Sequence, residues 1–100
     1  MSNQQNKYII ELKKILIESL KDEKVKIILF GSRARGKNNF FSDVDIGMIP
    51  YSRIDERKIV LLKEEIENLN IPYKVDIVNL AEVSDKFKEE ILKDAVIWKD

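Results

Sequence analysis

Residues 28–48 read ILFGSRARGKNNFFSDVDIGM, and how this stretch is parsed decides the fold. From Gly31 it runs G-S-R-A-R-G-K-N, a Walker A phosphate loop in all but its last residue. From the same glycine it also runs Gly31-Ser32, then ten residues, then Asp43-Val44-Asp45. The first parse needs a terminal Ser or Thr hydroxyl for Mg²⁺ and a long helix whose N-terminus faces the phosphates. Asn38 stands at the hydroxyl position, and a strand pattern resumes too soon for such a helix. The second parse meets no such obstacle.

Working outward, Val25–Gly31 is short, rich in β-branched residues and ends at glycine, so it predicts a strand. Asp43–Ile49 predicts another, with Val44, Ile46 and Met48 alternating against Asp43, Asp45 and Gly47, and Pro50 closing it. Alternation puts Asp43 and Asp45 on one face with Cα atoms ~6.5 Å apart. Two carboxylates so placed can converge on a pair of Mg²⁺ ions ~3.5–4 Å apart, the arrangement used for in-line displacement at phosphorus. Gly47, next on that face, is expected to leave room for a ligand. A third strand, Tyr73–Leu80, carries Asp76 in its middle. An ionised Asp in so apolar a strand is costly unless it is paired, hydrogen-bonded or bound to a cation.

Gly31 permits close backbone approach, and amide groups at a helix start favour phosphate. Ser32 adds a hydroxyl donor. A short helical turn is expected from here to Lys37, with Arg33, Arg35 and Lys37 offering positive charge to a triphosphate. Each of the three is equally open to being solvated or ion-paired, and not all are expected to bind. Arg33 and Lys37 would share one face of the turn. Phe40 and Phe41 could stack on a base, though packing back onto the sheet is the commoner fate of such residues.

Around these strands, residues 6–20 place Ile9, Leu12, Leu16 and Leu20 at helical spacing. A second helix follows Ser52-Arg53-Ile54-Asp55, with Ile59, Leu62, Ile66 and Leu69 as its stripe, until Asn70-Ile71-Pro72. Ser84 should cap a third helix through Lys93. Residues 95–98 read as a short strand or a segment packed on the sheet. The alternation of strands and helices predicts an α/β (α+β) fold, a small mixed sheet covered by helices.

Composition narrows the chemistry. With 44% apolar and 36% charged residues, the 100-residue chain reads as one ordinary soluble domain, residues 1–100. It contains no Cys and no His, which removes disulfides, thiol nucleophiles and histidine triads, so any metal must be held by carboxylates. Eighteen basic residues balance eighteen acidic ones, which argues against long nucleic acid as a partner. No apolar run suits a membrane span and the start is polar, so a cytoplasmic location without membrane attachment is expected.

GSRARGKNNFFSDVDIG resembles the Gly-Ser-x10-Asp-x-Asp motif of the DNA polymerase beta type nucleotidyltransferases, and VDIV resembles their third metal-binding strand. The shortness of the chain narrows the resemblance to minimal nucleotidyltransferases, the MNT-type proteins encoded beside a helical HEPN-domain partner. FKEEILKDAVIW is similar to that group's ending. The resemblance implies the polymerase beta-like fold and a transfer of AMP from ATP to a hydroxyl. It implies that Asp43 and Asp45 bind two Mg²⁺ ions, that Asp76 completes the metal site facing the acceptor, and that Gly31 and Ser32 hold the β- and γ-phosphates. It further implies a tyrosine of a HEPN toxin as acceptor, making the chain the antitoxin of a toxin–antitoxin pair. Homo-oligomers and hetero-oligomers with the partner both stay open.

Two other readings stand beside this one. The chain could be a non-catalytic antitoxin that neutralises its partner by complex formation, or an ATP-hydrolysing P-loop protein dependent on Lys37.

Overall fold

The computed structural model describes residues 6–36 and 43–100. The apolar stripe of the first helical pattern forms α1, Lys7–Ser19, which buries Ile9, Leu12 and Leu16. Asn6 caps it, its side-chain oxygen accepting the Tyr8 N–H at 2.8 Å. Then come β1, Val25–Phe30, and β2, Val44–Pro50. The helix α2, Glu56–Glu67, starts behind Asp55, whose carboxylate accepts the Arg57 N–H at 2.9 Å. The strand β3, Val75–Asn79, runs into a single 3₁₀ turn, Leu80–Glu82. Ser84 caps α3, Asp85–Leu92, as expected, and the tail is β4, Val96–Lys99.

The sheet order is β3-β2-β1-β4. The β1 strand is antiparallel to both β2 and β4, whereas β2 and β3 are parallel, so the sheet is mixed. One face packs on α1 and α2 through Leu12, Leu16, Ile27, Leu29, Val44, Ile46, Leu62 and Ile66, which form the main core. Full burial of each such aliphatic side chain contributes about 1.5–3 kcal/mol. The opposite face carries a smaller cluster, Ile28, Ile49 and Leu80, joined by Val83 and Ile91 from the segment after β3. Among the described residues, four mixed strands with three helices make this an α+β fold. Among the described residues, no helix is long and apolar enough to cross a membrane.

The structure adjusts several boundaries. The third strand is shorter than the pattern Tyr73–Leu80 predicts, because the Asn79 side chain accepts the Ala81 N–H at 3.0 Å and tips Leu80 into the smaller cluster. Asp43 lies just ahead of β2, since pairing begins with the Val44 N–H on the Lys74 carbonyl at 2.8 Å. Pro50 is the final residue of β2, opposite Val25 at the end of the ladder.

The expectation for Gly47 is corrected. A Cβ there would come within 2.9 Å of both Ile28 and Leu80, so these side chains fill the space left by the missing methyl. Gly47 admits packing across the sheet, and the opening for a ligand lies elsewhere.

Candidate active site

At the end of β1 the chain reverses through Gly31, whose φ of +79° favours glycine. The Arg35 N–H donates to the Gly31 carbonyl at 3.2 Å and the Gly36 N–H to the Arg33 carbonyl at 3.2 Å. Residues 32–36 are therefore one tight turn, with Ser32 half-buried within it. Antiparallel register sets Phe30 opposite Asp45, which brings Gly31 against the Asp45 carboxylate. A Cβ on Gly31 would lie 2.4 Å from Oδ2 of Asp45. The Gly31 turn and the Asp45 carboxylate are thus in close approach, and glycine is favoured there for space as well as for φ.

The parallel pairing of β2 with β3 sets Asp45 opposite Asp76, on the same face of the sheet. Asp43, exposed, precedes β2 by one residue. Burial raises the Asp45 carboxyl above the usual carboxylate range, and the charges of Asp76 and then Asp43 raise it further, against a smaller opposing effect of Lys74. An Asp45 carboxylate destabilised in this way is one that a bound cation would favour. Among the described residues no three acidic side chains are already drawn together as a cage. Mg²⁺ does not need one, because it commonly takes one or two carboxylates together with water and substrate phosphates. The all-oxygen donor set of Asp43, Asp45 and Asp76 suits that ion.

The basic residues divide. Among the described residues Arg33 is the charged side chain that is buried, at 2% exposure, and its guanidinium lies 4.2 Å from the centroid of the Tyr73 ring. The helical spacing that put it beside the phosphates gave no sign of this inward position. Arg35 is exposed and lines a cleft of about 300 Å³ with Phe30, Gly31, Glu90, Ile91, Lys93 and Asp94. Lys37, Phe40 and Phe41 lie outside the described residues.

Two neighbours of the site went unnoticed in the sequence. Lys74 Nζ stands 3.9 Å from Asp76 Oδ1, and its place two residues before Asp76 on an alternating strand was a usable signal. The end of α3 beside Gly31 had no local signal at all. A larger groove, about 750 Å³, is lined by Met48, Pro50, Arg53, Asp55 and Arg57 at the far end of β2. Asp55 and Glu56 are the carboxylates of that groove, and Asp55 is held by Arg57 at 3.1 Å as a helix cap.

Comparison with known proteins agrees with this geometry. The chain is 35% identical over 71 residues to a Haemophilus influenzae protein described as "Probable protein adenylyltransferase MntA", a match covering 71% of this chain and 62% of that relative's length. A structure of a minimal nucleotidyltransferase superimposes with a TM-score of 0.66 at 25% identity, covering 87% of this chain and 88% of the other. A chain from the complex of tri-AMPylated Shewanella oneidensis HEPN toxin with MNT antitoxin superimposes with a TM-score of 0.60 at 21% identity, covering 89% of this chain and 70% of the other; at that identity the likeness is one of fold. The family model described as polymerase beta, nucleotidyltransferase matches residues 11–100, from within α1 to the last residue. A match of that span takes in the Gly31 turn and Asp43, Asp45 and Asp76, and the chain belongs to the polymerase beta nucleotidyltransferase family.

Proposed function

We propose that this chain transfers AMP from ATP to a hydroxyl group, the acceptor being a tyrosine of a HEPN-domain toxin for which the chain is the antitoxin. The observation that carries the transferase reading is the seating of Asp45 between Gly31 and Asp76, which joins a phosphate turn to a carboxylate pair. The protein partner is supported by the named adenylyltransferase relative and by the complex of an AMPylated HEPN toxin with its MNT antitoxin.

In this reading Ser32 and the backbone around Gly31 receive the β- and γ-phosphates. Asp43 and Asp45 would hold two Mg²⁺ ions, with Asp76 completing the set. Bound there, the metal supplies charge neutralisation at the phosphates and lowers the pKa of a hydroxyl beside it. Asp76 stands on the acceptor side and accepts the hydroxyl proton. The acceptor oxygen bonds to the α-phosphorus, the bond from that phosphorus to the bridging oxygen breaks, and pyrophosphate departs with the electron pair.

Intact-mass measurement on the neighbouring HEPN protein after incubation with ATP, Mg²⁺ and this chain tests the reading. Addition of AMP is expected. No mass change with either Mg²⁺ or Mn²⁺, or an equal change with Asp43→Ala/Asp45→Ala, would reject it. Exposed Val60 and Leu61 on α2 favour the second reading, a module that neutralises its partner by docking alone. In that case the metal-site variant would still neutralise the toxin.

A further inference from the structure

Resting on the transferase reading, we propose that Lys93, at the end of α3, is a second cationic ligand for the terminal phosphates of the nucleotide, facing Arg35 across the cleft beside Gly31. The sheet order supplies the direction. Asp76, Asp45 and Phe30 stand side by side on β3, β2 and β1, and β4 follows on the far side of β1. An in-line displacement places the acceptor and the leaving group on opposite sides of the phosphorus. With the acceptor beside Asp76, the leaving pyrophosphate points past Asp45 towards β1 and β4.

The cleft lies on that side. Phe30, Gly31 and Arg35 form one wall, and Glu90, Ile91, Lys93 and Asp94 form the other, brought there because α3 leads into β4 and Val96 pairs with Leu29. The two cations are therefore on different elements, Arg35 on the turn after Gly31 and Lys93 at the end of α3, and line one cleft with Gly31. Of the two carboxylates in the same cleft, Glu90 is already engaged, its Oε1 being 2.9 Å from Lys93 Nζ, and Asp94 stays as one opposing charge against the two cations. Both partners of that ion pair are exposed, and such pairs contribute little. The Lys93 ammonium carries three N–H donors, so it can keep Glu90 and still donate a charge-assisted hydrogen bond to a phosphate oxygen.

Calorimetric titration of ATP and AMP into the whole chain with Mg²⁺ tests this. Lys93→Gln is expected to weaken ATP binding about five-fold, equivalent to the loss of one screened charge contact, and to leave AMP binding unchanged. Glu90→Gln, which frees Lys93, should strengthen ATP binding. Lys93→Gln binding ATP as tightly as the wild type, or weakening ATP and AMP equally, would overturn the assignment. Ser32→Ala separates the two levels. If it weakens ATP binding while Lys93→Gln does not, only the role of Lys93 falls, and if the wild-type chain binds no ATP, the transferase reading falls with it.

Discussion

The guanidinium of Arg33 lies over the ring of Tyr73, 4.2 Å from its centroid, and both residues are buried. Tyr73 also meets Tyr8 edge-on at 5.9 Å, and its hydroxyl oxygen accepts a hydrogen bond from the Asn6 side chain. One aromatic ring thus ties the turn after Gly31 to the start of α1 and to the segment that leads into β3. A desolvated cation over an aromatic face is worth about 2 kcal/mol or more. Arg33→Met should lower unfolding stability by roughly that amount in urea titration, and Tyr73→Phe, which keeps the ring, by only about 1 kcal/mol. An unchanged midpoint for Arg33→Met, coupled with lost ATP binding, would make Arg33 a phosphate ligand after all.

Gly31→Ala is expected to damage site and fold together. The new methyl would need a positive φ and would occupy the position of Asp45 Oδ2. Strain of this kind costs about 1–3 kcal/mol. Thermal unfolding should show the loss, and ATP binding should fall below the level of Ser32→Ala; an alanine variant with wild-type melting and binding would refute the close approach.

Asp45→Asn should stabilise the metal-free protein. The folded carboxyl is held above its unfolded value, so its carboxylate form opposes folding. Stability from this group is full below the usual carboxylate range and declines as pH rises through the raised value. At neutral pH the Asn variant should melt about 2–4 °C higher without metal and show a flatter pH dependence. Mg²⁺ should raise the melting temperature of the wild type and leave the variant nearly unmoved. A wild type whose stability increases steadily through that window would contradict the sign.

Gly47→Ala should cost about 1–3 kcal/mol through overpacking against Ile28 and Leu80. Leu80→Val on the same chain should recover part of that loss, giving a favourable coupling in a double-mutant cycle. Strict additivity would mean that the space around Gly47 is not shared with Leu80.

Much of the site was legible because its signals are local. Alternation along β2 separates Asp45 from Val44 and Ile46, and the apolar setting of Asp76 marks it as anomalous. The inward position of Arg33 and the filled space at Gly47 were illegible for one shared reason: their partners are distant in sequence. Tyr73 reaches Arg33 from forty positions away, and Leu80 reaches Gly47 only because β3 ends in a 3₁₀ turn. A spacing rule covers a few residues and says nothing about what the sheet later brings alongside. The cleft wall from α3 was illegible on the same grounds.

The parallel pairing of β2 and β3 gathers every proposed reacting group at one end of the sheet, leaving Pro50 and Asn79 at the other. Seven strand residues at about 3.3 Å each separate the two ends by about 20 Å. Tyr51, Ser52 and Arg53 are exposed there. A reporter peptide or affinity tag spliced between Ser52 and Arg53 should therefore be carried without cost to ATP binding, making this hinge of the chain the natural handle for immobilising the protein with its working end free.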